Sequence, residues 1–349
     1  MVAIEAIRKT NADNFTNRPF VAVFVGGTQG IGRYAVEAFA GLYSTQPETS
    51  LRVYVVGRRK SSADEVLNSC RARCPHGEFT FVQAANLALI EDVDAVTTTI
   101  SQLENEKPHP RIDLLVQTQA QILFGARKET KEGLDQLLSL VYYSRIRFIA
   151  RLLPLLEAST HGARVISIDA AGMEANLFRE DLSLRAPSHY SYRNVKSHGA
   201  YMTTMAFEHL ASQHESVAFV YMSPGMVFGP SYRDPTLPWW FKMCLGVLEL
   251  LLRWWVAIPP EESGQRTLFL AGRAFPPAGS KNNSVQRAKG TDGATGSGCY
   301  AVGSSCDVVE EKKHGALYPK LRNEGFQQEV WAHTMKAFED IEVGQRFIG

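Results

Sequence analysis

The sequence predicts an α/β fold with a doubly wound parallel sheet and helices on both of its faces. Short β-rich runs alternate along the chain with segments of helical spacing, which is the order that such a fold requires. Several of the runs are apolar throughout, as strands are when both faces of a parallel sheet are covered. Right-handed crossovers between the strands follow as the default connection.

Six strands and five helices follow from these patterns. The predicted strands are residues 20–25, 52–56, 79–83, 112–117, 163–168 and 217–222. The predicted helices are residues 33–43, 62–72, 90–104, 132–157 and 194–213. We find no internal repeat, and we expect a single domain over residues 1–349.

The composition excludes several classes of protein. Of 349 residues, 45% are hydrophobic and 21% are charged, with a net charge of +1, which describes a globular protein without the basic surface of a nucleic-acid-binding one. The five cysteines are few, odd in number and unevenly spaced, so we expect free thiols in a reducing compartment and no metal site. Residues 1–19 lack the apolar core of a secretory signal, and we therefore expect a cytoplasmic protein.

The most apolar segment is residues 237–260, LPWWFKMCLGVLELLLRWWVAIPP. It is long enough to span a bilayer, but Lys242, Glu249 and Arg253 interrupt it where charges are costly. A buried or groove-lining helix is therefore favoured over a membrane span. Contact with a membrane surface stays open as an alternative, because tryptophan pairs near both ends suit a lipid–water interface.

Two further segments lie outside the alternating pattern. Residues 276–306 are rich in Gly, Ser, Asn and Lys with few apolar anchors, which predicts a flexible surface loop. Residues 325–342 are predicted to form a closing helix near the end of the chain.

Four glycines, Gly26, Gly27, Gly30 and Gly32, follow the first predicted strand within seven positions. They lie at a strand-to-helix turn, where unpaired backbone N–H groups and the helix dipole favour a bound pyrophosphate. Their spacing differs from the G-x-G-x-x-G dinucleotide fingerprint and is a weak signal alone. A helix N-terminus that crosses the strand closely, without a ligand, is the alternative.

The second predicted strand ends in Gly57-Arg58-Arg59-Lys60, which offers three cations and no acidic residue. In NAD-binding folds an acidic side chain at this place binds the ribose hydroxyls, whereas an arginine accommodates the 2′-phosphate of NADP. A solvated basic turn would have the same composition. Together with the glycines, the cations favour NADP as the cofactor over NAD.

Three motifs, taken in order, resemble the short-chain dehydrogenase/reductase family. They are VGGTQGIG at residues 25–32, Tyr192-x-x-x-Lys196, and Pro224-Gly225. The resemblance covers residues 17–273, which it implies to be a Rossmann-like core, and helix phrases such as EESGQRTLFLAG resemble a fungal branch found in secondary-metabolite clusters. It also implies that residues 234–260 form an apolar substrate lid, and that helices 132–157 and 194–213 mediate a homo-oligomer.

The resemblance implies a catalytic site at Tyr192 and Lys196. An unaided tyrosine, with a pKa of about 10, is a weak acid. A lysine at i+4 lies on the same helix face and stabilises the phenolate, so we expect Lys196 to lower the pKa of Tyr192. Tyr190 is the alternative candidate for the catalytic tyrosine, but its i+4 partner is Asn194, which carries no charge.

The cofactor residues that the resemblance implies are Gly26, Gly30, Ile31, Gly32, Arg58, Arg59, Asn86, Tyr192, Lys196 and Val227. In the family the lysine also binds the nicotinamide ribose. Asn86 stands where the family carries an aspartate near the adenine, and its amide is still able to accept a hydrogen bond.

The catalytic half of the pattern departs from the family. The serine that would bind the substrate carbonyl is replaced by Asp169 or Ala170, depending on the position of one gap, and the asparagine of the proton relay is Val141. The family's N-N-A-G reads Gln117-Thr118-Gln119-Ala120. Asp169 is a catalytic candidate with three interpretations: a replacement polar group, a base, or a loop cap, of which the cap is favoured.

The sequence therefore predicts an NADP(H)-dependent short-chain dehydrogenase/reductase that acts on a hydrophobic ketone or alcohol, a polyketide- or terpenoid-like intermediate of fungal secondary metabolism. Two tryptophan pairs and many leucines in the insertion suit a bulky apolar substrate. Two alternatives stay open. One is a cyclase or isomerase of the same fold without redox turnover, and the other is a nucleotide-binding protein that contacts a membrane surface.

Overall fold

The computed structural model describes residues 2–123, 125–229, 237–252, 256–280, 286–309 and 317–349. Its strands are β1 (Phe20–Val25), β2 (Leu51–Gly57), β3 (Glu78–Gln83), β4 (Leu114–Gln117), β5 (Ala163–Ile168), β6 (Val217–Met222) and β7 (Cys299–Val302). Within the described ranges these strands form one sheet in the order β3-β2-β1-β4-β5-β6-β7, and every neighbouring pair is parallel.

The helices connect and cover these strands. They are α1 (Ile4–Phe15), α2 (Gly30–Tyr43), α3 (Lys60–Arg73), α4 (Ile90–Asn105), α5 (Gln136–Leu138), α6 (Ser144–Glu157), α7 (Tyr192–Gln213), α8 (Trp239–Leu252), α9 (Pro260–Phe269), α10 (Leu317–Asn323) and α11 (Phe326–Glu342). A π-helix, Ser139–Tyr143, joins α5 to α6.

The strand order reverses at β1, which pairs with β2 on one side and with β4 on the other. Its side chains alternate between two cores: Val21, Val23 and Val25 belong to the core on one face, and Phe20 and Phe24 to the core on the other. Because both faces are covered, the strand is apolar throughout. The predicted Rossmann-like, doubly wound α/β fold is confirmed, and the six predicted strands agree with the observed bounds to within two residues.

The seventh strand corrects the prediction of a surface loop at residues 276–306. Within that segment β7 pairs with β6 at the edge of the sheet, and Tyr300 is fully buried. The Tyr300 hydroxyl donates a hydrogen bond to the Pro276 carbonyl at 2.7 Å. A strand of four residues between glycine- and serine-rich stretches carries too short a pattern to be recognised. Residues 281–285 of the predicted loop lie outside the described residues.

The helix predicted at residues 132–157 is divided in the structure. Asp135 caps α5 by accepting a hydrogen bond from the Leu138 N–H at 2.8 Å, and the π-helix then widens one turn before α6 begins. A single wider turn leaves the apolar periodicity of the sequence almost unchanged, so the pattern alone does not predict it.

The closing helix α11 packs against α7. Its Thr334 hydroxyl lies 2.6 Å from the Tyr142 hydroxyl, and the guanidinium of Arg147 in α6 lies 5.1 Å from the ring centroid of Phe338. The chain's own C-terminal helix thus covers part of the faces that the resemblance assigns to a homo-oligomer. The homo-oligomer stays a prediction.

The apolar helix α8 differs from its prediction. None of its residues is buried, whereas the sequence favoured a buried or groove-lining helix. Hydropathy does not distinguish an apolar helix inside a protein from one that lies on its surface, which explains the error. None of the described helices has the length and hydropathy that crossing a membrane requires. Residues 234–236 and 253–255 of the predicted lid, Arg253 included, lie outside the described residues.

Candidate active site

Two cavities lie at the carboxyl edge of the sheet, where the strand order reverses between β1 and β4. One has a volume of about 140 Å³ and the other about 320 Å³. They share four wall residues, Gln29, Thr118, Ala120 and Gln121, and therefore form one groove. This is the position at which open α/β sheets bind their ligands.

The glycine turn borders both cavities. Gly26 and Gly30 have φ angles of +78° and +53°, a left-handed conformation that favours glycine. A Cβ on Gly32 would lie 2.4 Å from the Gly26 carbonyl oxygen, so Gly32 serves the close approach of α2 to the turn. The alternative of close packing therefore accounts for Gly32, which lines neither cavity. Gly26 lines the smaller cavity, and Gly30 lines the larger one beside Ile31.

The start of α2 leaves backbone donors available. The first helical bond of this turn runs from the Arg33 N–H to the Gln29 carbonyl, and the N-cap residue Gln29 makes no side-chain cap. The N–H groups at the first positions of a helix have no intrahelical acceptor. An anion beside Gly30 and Ile31 would therefore meet donors and the positive end of the helix dipole.

The two arginines after β2 line the smaller cavity together with Asn86. Both are exposed, and neither guanidinium is paired with a carboxylate among the described residues. Gly57, the last residue of β2, is required locally, because a Cβ there would lie 2.4 Å from Thr28 Cγ2. The Asn86 amide oxygen already accepts a hydrogen bond from the Ala88 N–H at 3.1 Å, so it helps to close its own turn.

Tyr192 and Lys196 lie one turn apart at the start of α7 and both line the larger cavity. Ser191 caps this helix by accepting a hydrogen bond from the Asn194 N–H at 3.1 Å. The Lys196 Nζ lies 5.9 Å from the ring centroid of Tyr192, and it forms an ion pair with the Asp169 carboxylate. The i+4 spacing thus brings both side chains to one cavity wall.

Asp169 follows β5 and resolves the ambiguity of the sequence alignment. Asp169 lines the larger cavity, whereas Ala170 is buried and donates its N–H to the Tyr221 hydroxyl at 3.1 Å. The Asp169 carboxylate binds Lys196 instead of neighbouring backbone N–H groups. The favoured interpretation of Asp169 as a loop cap is therefore wrong.

The ion pair changes the expected chemistry of Tyr192. Burial raises the pKa of Tyr192 to about 12, and the negative charge of Asp169 adds to the increase. The sequence predicts that Lys196 lowers the pKa of Tyr192. In the structure Lys196 pairs with Asp169, and the pKa of Tyr192 is raised instead. Tyr192 consequently keeps its proton throughout the neutral pH range.

Arg145 is a buried residue beneath the site that the sequence analysis missed. Val141, at the position of the family's asparagine, is buried in the π-helix and does not line the groove; Arg145 follows one turn later. The Arg145 guanidinium donates to the Ser167 hydroxyl at 2.6 Å and to backbone carbonyls of residues 117, 119, 140 and 168. Burial lowers the pKa of Arg145, and the Asp169 charge opposes this.

Arg145 therefore joins the ends of β4 and β5, and β5 leads directly into Asp169. The sequence signal that could have indicated Arg145 was a charged residue on the apolar face of a predicted helix, where an unpaired charge is costly. Ser223, directly after β6, also lines the larger cavity and was not assigned. Its position just before Pro224-Gly225 was the available signal.

Comparisons with known proteins extend these observations. No protein-family model matches the chain. The chain is 33% identical to the short-chain dehydrogenase/reductase SAT2 of Stachybotrys chartarum over 353 residues, which cover 98% of each chain. It is 31% identical to the oxidoreductase andH of Emericella variicolor over 352 residues, again 98% of each chain.

Solved structures resemble the fold. The Pseudomonas aeruginosa RhlG/NADP complex superposes with a TM-score of 0.53 at 20% identity, over 73% of this chain and 90% of that one. L-sorbose reductase from Gluconobacter frateurii, complexed with NADPH and L-sorbose, superposes with a TM-score of 0.55 at 17% identity, over 83% and 97%. At these identities the likeness concerns the fold alone.

A parallel sheet with a glycine turn and a groove where its strand order reverses defines the class of dinucleotide-binding α/β proteins. Within that class, relatives more than 30% identical over nearly their whole length show that the chain belongs to the short-chain dehydrogenase/reductase family. The predicted resemblance to a fungal branch is confirmed, since both of these relatives are fungal proteins.

Proposed function

We propose that the protein is an NADP(H)-dependent reductase that converts a hydrophobic ketone to an alcohol, in the cytoplasm and in fungal secondary metabolism. One observation carries the proposal: Tyr192, Lys196 and Asp169 share a cavity wall in a groove that continues to Arg58 and Arg59. Its relatives are named a short-chain dehydrogenase/reductase and an oxidoreductase, which supports redox chemistry.

The larger cavity suits an apolar substrate. Ile122, Ile168, Met173 and Val227 supply aliphatic wall surface. Its volume of about 320 Å³ lies at the lower end of the range of small-molecule sites, and the nicotinamide would share this space with the substrate. The apolar wall suits a polyketide- or terpenoid-like ketone.

The residues of the groove fit an NADP molecule from end to end. The 2′-phosphate would lie at Arg58 and Arg59, the pyrophosphate at the N-terminus of α2, and the nicotinamide beside Ile31 and Val227. Two solved neighbours of the same fold bind NADP or NADPH, which supports this choice of cofactor. When bound, the cofactor supplies the hydride that reduces the carbonyl carbon.

Tyr192 acts as the general acid in this proposal. Its hydroxyl donates a proton to the carbonyl oxygen as the hydride arrives at the carbon, and the pKa of about 12 keeps the donor protonated at neutral pH. The reverse reaction needs the phenolate, which burial and the Asp169 charge disfavour at neutral pH. At neutral pH Tyr192 is therefore in the protonated state that ketone reduction requires.

Asp169 holds Lys196 beside Tyr192 and is a positioning residue. In the family a serine at this place donates a hydrogen bond to the substrate carbonyl, whereas an ionised carboxylate only accepts. Without that donor the carbonyl oxygen depends on Tyr192. Loss of one such donor costs on the order of 10²–10³ in rate in other enzymes, so we expect slow turnover.

A cyclase or isomerase without redox turnover is the second candidate. The observation that favours it is the second oxygen of Asp169, Oδ2, which is buried without a hydrogen-bond partner among the described residues. A carboxylate on the wall of an apolar cavity is also suited to remove a proton from a substrate.

Transfer of a labelled hydride decides between the two. The protein is loaded with NADPH deuterated at C4 of the nicotinamide and mixed with a bicyclic ketone such as trans-1-decalone, and the product is analysed by mass spectrometry. The reductase proposal expects deuterium at the carbinol carbon and none when NADPH is omitted. Failure of NADPH to bind, measured by protein fluorescence, contradicts the cofactor assignment.

A further inference from the structure

The helix α8 presents an uncharged apolar face to solvent. Trp240, Met243, Val247, Leu250 and Leu251 are between 49% and 74% exposed and recur at spacings of three and four residues. This spacing places them on one side of the helix. Large exposed apolar patches mark contact with a partner or a membrane.

The charges of α8 lie on its other side. Lys242 and Glu249 are half-buried and stand at i and i+7, beside the half-buried apolar side chains Phe241, Leu245, Leu248 and Leu252. The helix is therefore apolar both towards the protein and towards solvent, whereas an ordinary surface helix exposes a polar face. A helix that lies in the plane of a lipid surface turns an apolar face to the lipid, which the exposed side of α8 suits.

We propose that α8 docks the protein on a lipid surface through this face. The 14 described residues of α8 extend about 21 Å, less than the hydrocarbon core of about 30 Å. Tryptophans at its start, Trp239 and Trp240, match the preference of indole for the lipid–water boundary. The sequence continues with a second pair, Trp254 and Trp255, outside the described residues.

A second copy of the chain fits the exposed face of α8 less well than a lipid surface does. The exposed parts of the five side chains amount to less surface than the about 800 Å² that a stable dimer buries on each partner. The exposed face also carries no charged group among the described residues of α8 that would fix a partner's register. Docking on a lipid surface requires neither such a buried area nor a fixed register.

The position of α8 gives the docking a function. Residues after the helix return to the wall of the larger cavity, where the Ile258 N–H donates to the Met226 carbonyl at 2.8 Å, next to Val227. Apolar metabolites concentrate in lipid. Docking through α8 would therefore bring the cavity close to a store of apolar substrate, although the lipid contact itself does not depend on the proposed reductase activity.

The test uses the full chain and a fluorescent label on Cys244, which is the exposed cysteine of the five and lies in α8. An environment-sensitive NBD label at Cys244 is mixed with phosphatidylcholine vesicles, with and without phosphatidylserine. We expect a severalfold rise in emission on both, unchanged by high salt, because the docking face is apolar. As a control, the label is moved to Val343→Cys in a Cys244→Ser background, and there we expect no rise.

Substitutions on the exposed face of α8, with a control elsewhere, test whether this face makes the lipid contact. Val247→Glu with Leu250→Glu is expected to lower vesicle binding about tenfold or more in flotation, whereas Val343→Glu, at an equally exposed apolar position in another part of the chain, leaves it unchanged. Light scattering without lipid is measured in parallel. Absence of flotation by the wild type overturns the proposal, and so does self-association that the double variant abolishes without any lipid binding. NADPH affinity, measured on the same samples, reports separately on the proposed reductase.

Discussion

Lys196 is held by Asp169 beneath the phenol ring of Tyr192, with the lysine Nζ 5.9 Å from the ring centroid. The family pattern pairs the lysine with the tyrosine, so the carboxylate competes for the cation that would otherwise stabilise a phenolate. The same carboxylate raises the pKa of Tyr192 through its charge. Asp169 therefore acts on both members of the Tyr192–Lys196 pair.

Replacing Asp169 by Ser should lower the pKa of Tyr192, because the negative charge that helps to raise it is removed. Ketone reduction requires the protonated phenol, so the wild-type rate should not fall with rising pH until the pH approaches about 12. In the variant the alkaline fall should begin at a lower pH. Single-turnover rates between neutral pH and pH 11 measure the difference.

The same variant adds a hydroxyl donor at the place of the missing serine. We therefore also expect faster reduction at neutral pH, by up to about 10²-fold. A variant rate that, like the wild-type rate, does not fall up to pH 11 would contradict the effect of Asp169 on the pKa of Tyr192. Asp169→Asn, which removes the charge without adding a serine hydroxyl, separates the charge from the donor.

Replacing Arg58 and Arg59 together by Ala should weaken NADPH binding about tenfold or more, since charge-assisted arginine–phosphate bonds contribute about 1.5–3 kcal/mol. NADH, which lacks the 2′-phosphate, should bind both proteins equally. Lys60→Ala is the matched control, because Lys60 pairs with Asp64 and does not line the cavity. Equal affinity of the wild type for NADPH and NADH would refute the assignment of the two arginines.

Replacing Gly30 by Val should abolish NADPH binding, because a branched side chain at φ +53° distorts the turn and fills the space beside the pyrophosphate. The variant should keep its α/β circular dichroism spectrum. Gly41→Ala in the same helix is the control: it meets open space and should raise the free energy of unfolding by about 0.5–1 kcal/mol. Undiminished NADPH binding by Gly30→Val would leave the glycine with a structural role only.

Replacing Arg145 by Met should lower the free energy of unfolding by about 3 kcal/mol or more, because several buried carbonyl oxygens lose their donor. Arg151→Met in the same helix should change it by less than about 0.5 kcal/mol, since Arg151 is half exposed and 3.6 Å from Asp94. Urea denaturation followed by circular dichroism compares the two. Equal midpoints would contradict the role assigned to Arg145.

The core of the fold was predictable because its strands are buried on both faces. Runs such as 20–25 and 217–222 are apolar throughout, and no other common arrangement of short strands and helices requires this. The edge strand β7 was not predictable, since its four residues are stabilised by pairing with β6 and by the contact of Tyr300 with Pro276. Such long-range contacts leave no periodic signal in the sequence.

The site was predictable where spacing alone decides the geometry. The interval between Tyr192 and Lys196 puts both on one wall, and Arg58 and Arg59 follow a strand end. The partner of Lys196 was not predictable, because Asp169 follows β5 and lies 27 positions earlier in the chain. The hydrogen bonds of Arg145 likewise depend on carbonyl groups of β4 and β5, two strands that meet only in the folded protein.

The reductase mechanism is tested most directly by the single-turnover oxidation of bound NADPH by a ketone substrate in the wild type, Tyr192→Phe and Asp169→Ala. We expect that Tyr192→Phe binds NADPH normally and oxidises it at least about 100-fold more slowly, because the proton donor is gone. We also expect that Asp169→Ala stays active. A Tyr192→Phe rate equal to that of the wild type, together with an inactive Asp169→Ala, would contradict the reductase mechanism and favour the cyclase or isomerase.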